Sequence, residues 1–166
     1  MKIFEHIKFI LIFGGLLAIY YVGFATKFLL FILEPYRLLT ARIAGYYLNS
    51  FNSNIITKGD LIILDDFSIK VGYGCEGSEP IALLLSAVLA FPVKFKLKIP
   101  ALLFGTLFIY CLNIVRIIVL FYLSKSDPAA ADSYHNDILP LILTLFAILF
   151  FILWVRWALK KIKNQN

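Results

Sequence analysis

Residues 72–80 of the chain read GYGCEGSEP, and an apolar run over residues 81–93 follows them directly. The stretch places Cys75 among glycines and two acidic residues, in a chain whose residues are 61% hydrophobic. Glycine, serine and proline in this order are typical of the point where a helix begins. We therefore expect a polar segment to end here and a membrane helix to start, with a cysteine immediately before it.

The composition indicates a membrane protein whose solvent is the lipid bilayer. A chain of 166 residues with 16 Phe and 9 Tyr is too apolar to cover itself with a polar surface. Apolar runs of about 20 residues are long enough to cross the hydrocarbon layer. We predict one all-α polytopic membrane domain over residues 1–166, with four transmembrane helices. Their approximate ranges are residues 9–33, 78–93, 99–123 and 138–157.

The segment of residues 34–77 lies between the first two predicted spans. Over residues 34–49, apolar and aromatic residues mix with Arg37 and Arg42 at spacings that suit a helix along the membrane interface. β-Branched runs then alternate with turn residues as far as Val71. This pattern predicts an interfacial helix followed by a small external β ribbon.

Charged residues predict the orientation of these spans. Every acidic residue except Glu5 lies within residues 34–79 or 124–137. Basic residues cluster on the other side of the spans, at Lys2, Lys8, Lys94, Lys96, Lys98, Arg156, Lys160, Lys161 and Lys163. Because basic flanks stay in the cytoplasm, we expect both termini on the cytoplasmic side of the membrane. The net charge of +6 thus indicates topology, and no pattern typical of nucleic-acid binding is present.

The short second span predicts the depth of Cys75. A helix from Ser78 to the basic turn at residue 93 is about 22 Å long, against a hydrocarbon thickness of about 30 Å. Its outer end is therefore below the membrane surface, and Cys75 lies in an outward-facing recess. The positive end of the helix favours a thiolate, whereas Glu76 and Glu79 oppose one.

Two further side chains are candidates for this recess. Arg116 lies about 12 Å below the outer end of the third predicted span, where charged groups are costly and usually functional. Asn113 precedes it on the same helix face, in line with Thr106 and Tyr110. His135 stands before the last span, and its imidazole is able to accept a proton from a thiol and return one to a leaving amine.

These motifs resemble those of the exosortase/archaeosortase family. The resemblance covers residues 58–157 and rests on Gly74-Cys75-Glu76-Gly77, on Asn113-Ile114-Val115-Arg116, and on His135 before the last span. The chain departs from the family in having Glu76 where a serine is common, and in being shorter than many-spanning members.

The resemblance implies a membrane cysteine protease and transpeptidase in a bacterial or archaeal plasma membrane, which is the inner membrane of a Gram-negative cell. Cys75 would be the nucleophile, His135 the proton carrier, and Arg116 the group that stabilises a thiolate or oxyanion. Backbone amides of the loop of residues 74–78 could also bind the oxyanion. The partners would be membrane-anchored proteins whose C-terminal sorting signal combines a motif, a transmembrane helix and a basic cluster. Cleavage would occur at the outer face of the membrane, with no cofactor and no metal.

Other functions remain open from the sequence. Cys75 and Cys111 are compatible with a membrane thiol oxidoreductase or a disulfide-stapled scaffold. A small transport or assembly subunit would use Arg116 and the acidic residues as a polar pathway. Arg116 would alternatively pair structurally with Glu79, and Asn113 would bond another helix. The roles of Glu76, Glu79 and Asn113 are left undecided.

Overall fold

The structure is a computed structural model, and it describes residues 3–164. Helices dominate it, as predicted for an all-α membrane protein, and a small sheet interrupts them. The elements in chain order are α1 (Ile3–Ala25), α2 (Phe28–Phe51), β1 (Ile55–Lys58), β2 (Leu61–Leu64), β3 (Phe67–Lys70), α3 (Ser78–Ala90), α4 (Phe95–Pro100), a π-helical turn (Ala101–Gly105), α5 (Thr106–Ser126), α6 (Pro128–Ser133), a second π-helical turn (Tyr134–Ile138) and α7 (Leu139–Lys163).

Three continuous helical stretches are long and apolar enough to cross a bilayer. They are Phe4–Ala25, Phe95–Ser126 and Pro128–Lys163, and the apolar helix α3 is shorter than these. Large apolar side chains such as Leu11, Ile19 and Leu103 are more than half exposed. Because such surface is stable only against lipid, the chain is a multi-pass membrane protein.

The first predicted span differs from the observed helices. The prediction ran to residue 33, but α1 ends at Ala25 and α2 begins at Phe28. The hydroxyl of Thr26 donates to the carbonyls of Val22 and Gly23, which satisfies backbone groups at the end of α1. Lys27 then adopts a left-handed conformation with φ of 62°. The helix predicted over residues 34–49 is therefore the greater part of the longer helix α2.

The predicted β ribbon is confirmed as a three-stranded antiparallel sheet in the order β1-β2-β3. Ile56 of β1 pairs with Ile63, and Ile62 of β2 pairs with Ile69. The sheet packs so closely on α2 that a Cβ atom at Gly45 would clash with Oγ1 of Thr57. Glycine thus permits the close approach of helix and sheet.

Arg37 of α2 ties the sheet to the chain that follows it. Its buried guanidinium donates to both carboxylate oxygens of Glu34, to Asp60 in the β1–β2 turn, and to the carbonyl of Val71 at 2.8 Å. The hydrogen bonds from Arg37 hold the pKa of the Glu34 and Asp60 carboxyls below their usual range. Arg37 therefore fixes the point at which β3 leads into the cysteine-containing stretch.

Two apolar clusters hold the helices together. One joins α2, the sheet and the part of α5 from Ile114 to Phe121, and it includes Cys75. The other joins α3, α5 and α7 around Trp154, whose indole N–H donates to the carbonyl of Leu97 at 3.0 Å. Helix α5 contributes to both clusters, so its polar side chains are held between the sheet and the membrane helices.

Candidate active site

Cys75 lies in a sharply turned segment, residues 72–77, which we call the Cys loop. The N–H of Cys75 donates to the carbonyl of Gly72 at 3.1 Å. Gly74 and Gly77 have φ of 88° and 82°, a left-handed conformation that favours glycine. A Cβ atom at Gly77 would also lie 2.7 Å from Cγ of Asn113. The loop is therefore pressed against α5, and Cys75 is buried just before α3 begins.

His135 approaches the same sulfur from a distant part of the chain. It lies in the π-helical turn Tyr134–Ile138, a kind of element that is frequent at functional sites. Its Nδ1 and Nε2 atoms are 3.5 Å and 3.6 Å from Sγ of Cys75. Either nitrogen is close enough to accept the thiol proton, and the tautomer of the ring determines which one does.

Arg116 connects the two chain segments through their main chains. The guanidinium is buried, and it donates from Nη1 to the carbonyl of Gly74 at 3.3 Å and from Nη2 to the carbonyl of His135 at 3.1 Å. Asn113, one turn earlier on α5, donates to the carbonyl of Cys75 at 2.9 Å. Thus α5 holds the backbone on both sides of the Cys75–His135 contact.

Arg116 is not part of a salt bridge in the described part of the chain. The ion pairs there are Arg37 with Glu34, Arg37 with Asp60, and Lys70 with Asp60. Glu79, the alternative partner considered from the sequence, is exposed. The positive charge of Arg116 is therefore available to act on groups in the site, including the thiol of Cys75.

Burial is the largest influence on the pKa of the Cys75 thiol, and it raises that pKa above the ordinary value. The charge of Arg116 lowers the same pKa, and the charge of Glu76 raises it. The net direction is upward, so the neutral thiol is favoured despite the adjacent helix N-terminus. This outcome differs from the thiolate that the helix end alone would favour.

Glu76 is fully buried and belongs to a small polar chain behind the Cys loop. Its Oε1 accepts a hydrogen bond from the hydroxyl of Ser78 at 2.7 Å, and Ser78 Oγ lies 2.7 Å from the hydroxyl of Tyr20 on α1. Its Oε2 has no hydrogen-bond partner within residues 3–164. The sequence analysis assigned no role to Glu76 and did not identify Tyr20. The one sequence feature that pointed to Tyr20 was its polar hydroxyl within an otherwise apolar helix.

Cys75 and His135 line an open cleft of about 460 Å³, which we call the Cys75 cleft. One wall is strand β3 and the chain to Val71, and the other walls come from α5, α6 and the turn that holds His135. Ile117 and Leu120 give it an apolar side, whereas Lys70 and Asp132 bring opposite charges. A molecule that enters this cleft therefore meets the sulfur of Cys75 directly.

Several polar residues of the sequence lie away from this cleft. The hydroxyl of Thr106 donates to the carbonyl of Leu102, and the Tyr110 ring packs against that of Tyr36. The other two members of the predicted polar stripe, Asn113 and Arg116, hydrogen-bond to the Cys loop. Both cysteines are free, and Cys111 is exposed rather than buried. Among the residues that the structure describes, no three His, Cys, Asp or Glu side chains are grouped to hold a metal ion.

Comparison with known proteins gives one family. The family model described as transmembrane exosortase matches residues 6–155, which include the Cys loop, α5 and His135. The match begins well before residue 58, so it also takes in α1 and α2. No curated protein and no solved structure matched the chain.

The opposing charges around Cys75 give a testable order of thiol reactivity. In a Cys111→Ala chain, Cys75 is the only thiol, because the sequence has 2 cysteines. Alkylating reagents attack the thiolate, so a raised pKa means that the iodoacetamide rate should keep rising above about pH 8.5, where ordinary thiols titrate. Arg116→Gln should shift the profile to higher pH, and Glu76→Gln should shift it to lower pH.

A shift of one pKa unit would change the rate at pH 7 about tenfold, because the thiolate fraction changes tenfold. Arg116→Lys is the matched control, since it keeps the positive charge and should stay closer to the parent profile than Arg116→Gln. A parent profile with its midpoint below the ordinary thiol range would contradict this account. The account would also be contradicted if Arg116→Gln and Glu76→Gln shifted the pH profile in the same direction.

Proposed function

Because the chain belongs to the transmembrane exosortase family, we propose that it is a membrane cysteine peptidase or transpeptidase that cleaves C-terminal sorting signals. The observation that carries this proposal is the 3.5 Å contact between Sγ of Cys75 and the His135 ring. A nucleophile and a base within hydrogen-bond reach, on the wall of an open cleft, are the parts that acyl transfer requires.

The first chemical step follows from the neutral thiol. His135 accepts the proton of Cys75 as the sulfur attacks the carbonyl carbon of the scissile peptide bond, and a C–S bond forms. The carbonyl oxygen becomes an oxyanion, for which the N–H groups in the first turn of α3 are the proposed donors, because they have no partner within the helix. The proton is thus transferred during attack rather than before it.

The second step releases the substrate's C-terminal part. The imidazolium of His135 gives its proton to the departing amine nitrogen as the C–N bond breaks, which leaves a thioester on Cys75. Water or the amine of an acceptor then attacks the thioester, and Cys75 recovers its proton. Arg116 supports both steps by holding the Gly74 and His135 carbonyls and by adding positive charge near the developing anion.

The substrates that we propose are exported proteins whose tail has a short motif, one transmembrane helix and a basic cluster. Such a tail would present the bond before its helix close to the membrane surface. Helix α3 has 13 residues and is thus about 20 Å long, roughly 10 Å less than the hydrocarbon layer. The short helix supports a Cys loop at the depth where this bond would lie.

We further propose that both termini are cytoplasmic and that the Cys75 cleft faces outward. The support is the distribution of charge, since basic residues flank the ends opposite the sheet and the α5–α6 connection. In a cysteine-free chain, a single cysteine at Ser126 should react with an impermeant maleimide on intact cells. One at Lys96 should react only after lysis, and labelling of Lys96 from outside would reverse the orientation.

Cleavage of a reporter separates the peptidase from the alternatives. The reporter is an epitope-tagged exported protein that ends in such a tail from a protein of the same genome. Cys75→Ala should leave the reporter at full length on immunoblots, because no thioester can form. His135→Ala should slow cleavage by about 100-fold or more, the usual contribution of a general acid–base group.

Cys111→Ala is the matched control, and it should cleave the reporter at close to the parent rate because Cys111 is exposed and lies outside the cleft. If both cysteines proved essential and changed redox state together, the chain would be a thiol oxidoreductase. Parent-level cleavage by Cys75→Ala would eliminate the proposed peptidase.

A further inference from the structure

Strand β3 is an edge strand of the described sheet. It pairs with β2 on one side, and no other strand of the described residues lies on its second side. An open strand edge presents main-chain N–H and C=O groups that are ready to pair with another extended chain. Such an edge needs either protection or a partner.

The register identifies which groups of β3 are open. The N–H of Val71 donates to the carbonyl of Asp60 at 2.8 Å, across the hairpin. In an antiparallel ladder, the backbone groups of successive residues point alternately toward the partner strand and away from it. Phe67 and Ile69 therefore point their N–H and C=O groups toward β2, and Ser68 and Lys70 point theirs to the open side.

This open edge is also a wall of the Cys75 cleft. The cleft is lined by all five consecutive residues from Phe67 to Val71. Because alternate side chains project from opposite faces of a strand, a cleft that contacts all of them must run along its main-chain edge. The same cleft contains Cys75 and His135. The unpaired backbone groups and the sulfur thus face one continuous space.

From this arrangement we propose that the substrate's segment before its transmembrane helix binds as an added strand along β3. The proposal rests on the function proposed above and specifies how the substrate is held. Hydrogen bonds to the main chain of Ser68 and Lys70 would keep the segment extended and lead its scissile bond toward Cys75. The cleft walls would then select side chains, with an apolar side at Ile117 and Leu120 and charges at Lys70 and Asp132.

The chemistry of the wall favours a peptide over a lipid chain. A lipid tail has no donor or acceptor for the open N–H and C=O groups, which would remain unpaired in a partly apolar cleft. The exposed side chains of Ser68 and Lys70 and the nearby Asp132 also present polar groups to the occupant. An extended peptide satisfies both the backbone groups and the polar side chains.

Removal of one open N–H tests this binding mode. Ser68→Pro eliminates the main-chain donor at a position where an edge strand accepts proline, because that N–H does not pair within the sheet. Loss of one hydrogen bond costs about 1 kcal/mol, so kcat/KM for the reporter should fall about fivefold or more from the parent value. Ser68→Ala retains the N–H and should cleave several times faster than Ser68→Pro. Equal cleavage by the two variants, at the parent rate, would overturn the added strand.

Alkylation of Cys75 shows whether Ser68→Pro keeps the site intact. In a Cys111→Ala chain, the iodoacetamide rate of Cys75 should be the same with and without the Ser68→Pro substitution, since the Cys loop is not altered.

The proposed peptidase and the proposed added strand are refuted by different results. Cleavage by Cys75→Ala would refute the peptidase, whereas blocked cleavage by Cys75→Ala together with normal cleavage by Ser68→Pro would refute only the added strand.

A crosslinking scan tests the geometry without turnover and covers the case in which Ser68→Pro fails to fold. The chain carries Ser68→Cys with Cys75→Ala and Cys111→Ala, and the reporter carries single cysteines in the segment before its helix. A short thiol crosslinker should join Ser68→Cys to alternate reporter positions, because alternate side chains share one sheet face. The proposal would be overturned if crosslinking showed no two-residue period. It would also be overturned if Ser68→Cys crosslinked only to a second copy of the chain, or not at all.

Discussion

The site depends on one buried guanidinium. Arg116 donates hydrogen bonds to the carbonyls of Gly74, in the Cys loop, and His135, in the second π-helical turn. Cys75 and His135, which these two segments bring together, are 60 residues apart in the chain. A charge buried in a membrane protein is costly unless strong acceptors surround it. The two main-chain carbonyls supply such acceptors. Because both bond the same guanidinium, Arg116 also fixes where the Cys loop and the His135 turn meet. The contact between the sulfur and the imidazole follows from that constraint.

A second guanidinium performs the corresponding task on the sheet. Arg37 binds Glu34, Asp60 and the carbonyl of Val71, so it links α2, the β1–β2 turn and the chain after β3. Because Val71 leads into the Cys loop, the same contact aligns β3 with Cys75. The small sheet therefore has two consequences for the site, since it orients the loop and forms a wall of the cleft.

The sequence was sufficient for the fold class, because apolar runs and β-branched runs are local patterns. The predicted first span was too long, because the sequence did not show that α1 ends before Lys27. There the Thr26 hydroxyl bonds a carbonyl at the end of α1, within a stretch that is still largely apolar. It also missed the chain from Glu76 through Ser78 to Tyr20, since contacts between helices depend on how each helix is rotated. The structure brings Cys75, Arg116 and His135 together, and their catalytic roles stay predictions. The family match over residues 6–155 supports these roles without testing them.

The central claim is that Cys75 forms a thioester with its substrate. Mass spectrometry of the chain, quenched with acid during turnover of the reporter, tests it most directly. The account predicts an adduct on Cys75 of the intact chain, whose mass is that of the N-terminal cleavage product less one water, and which hydroxylamine removes. Cleaved reporter without any adduct on Cys75, or with the adduct on another residue, would contradict the account.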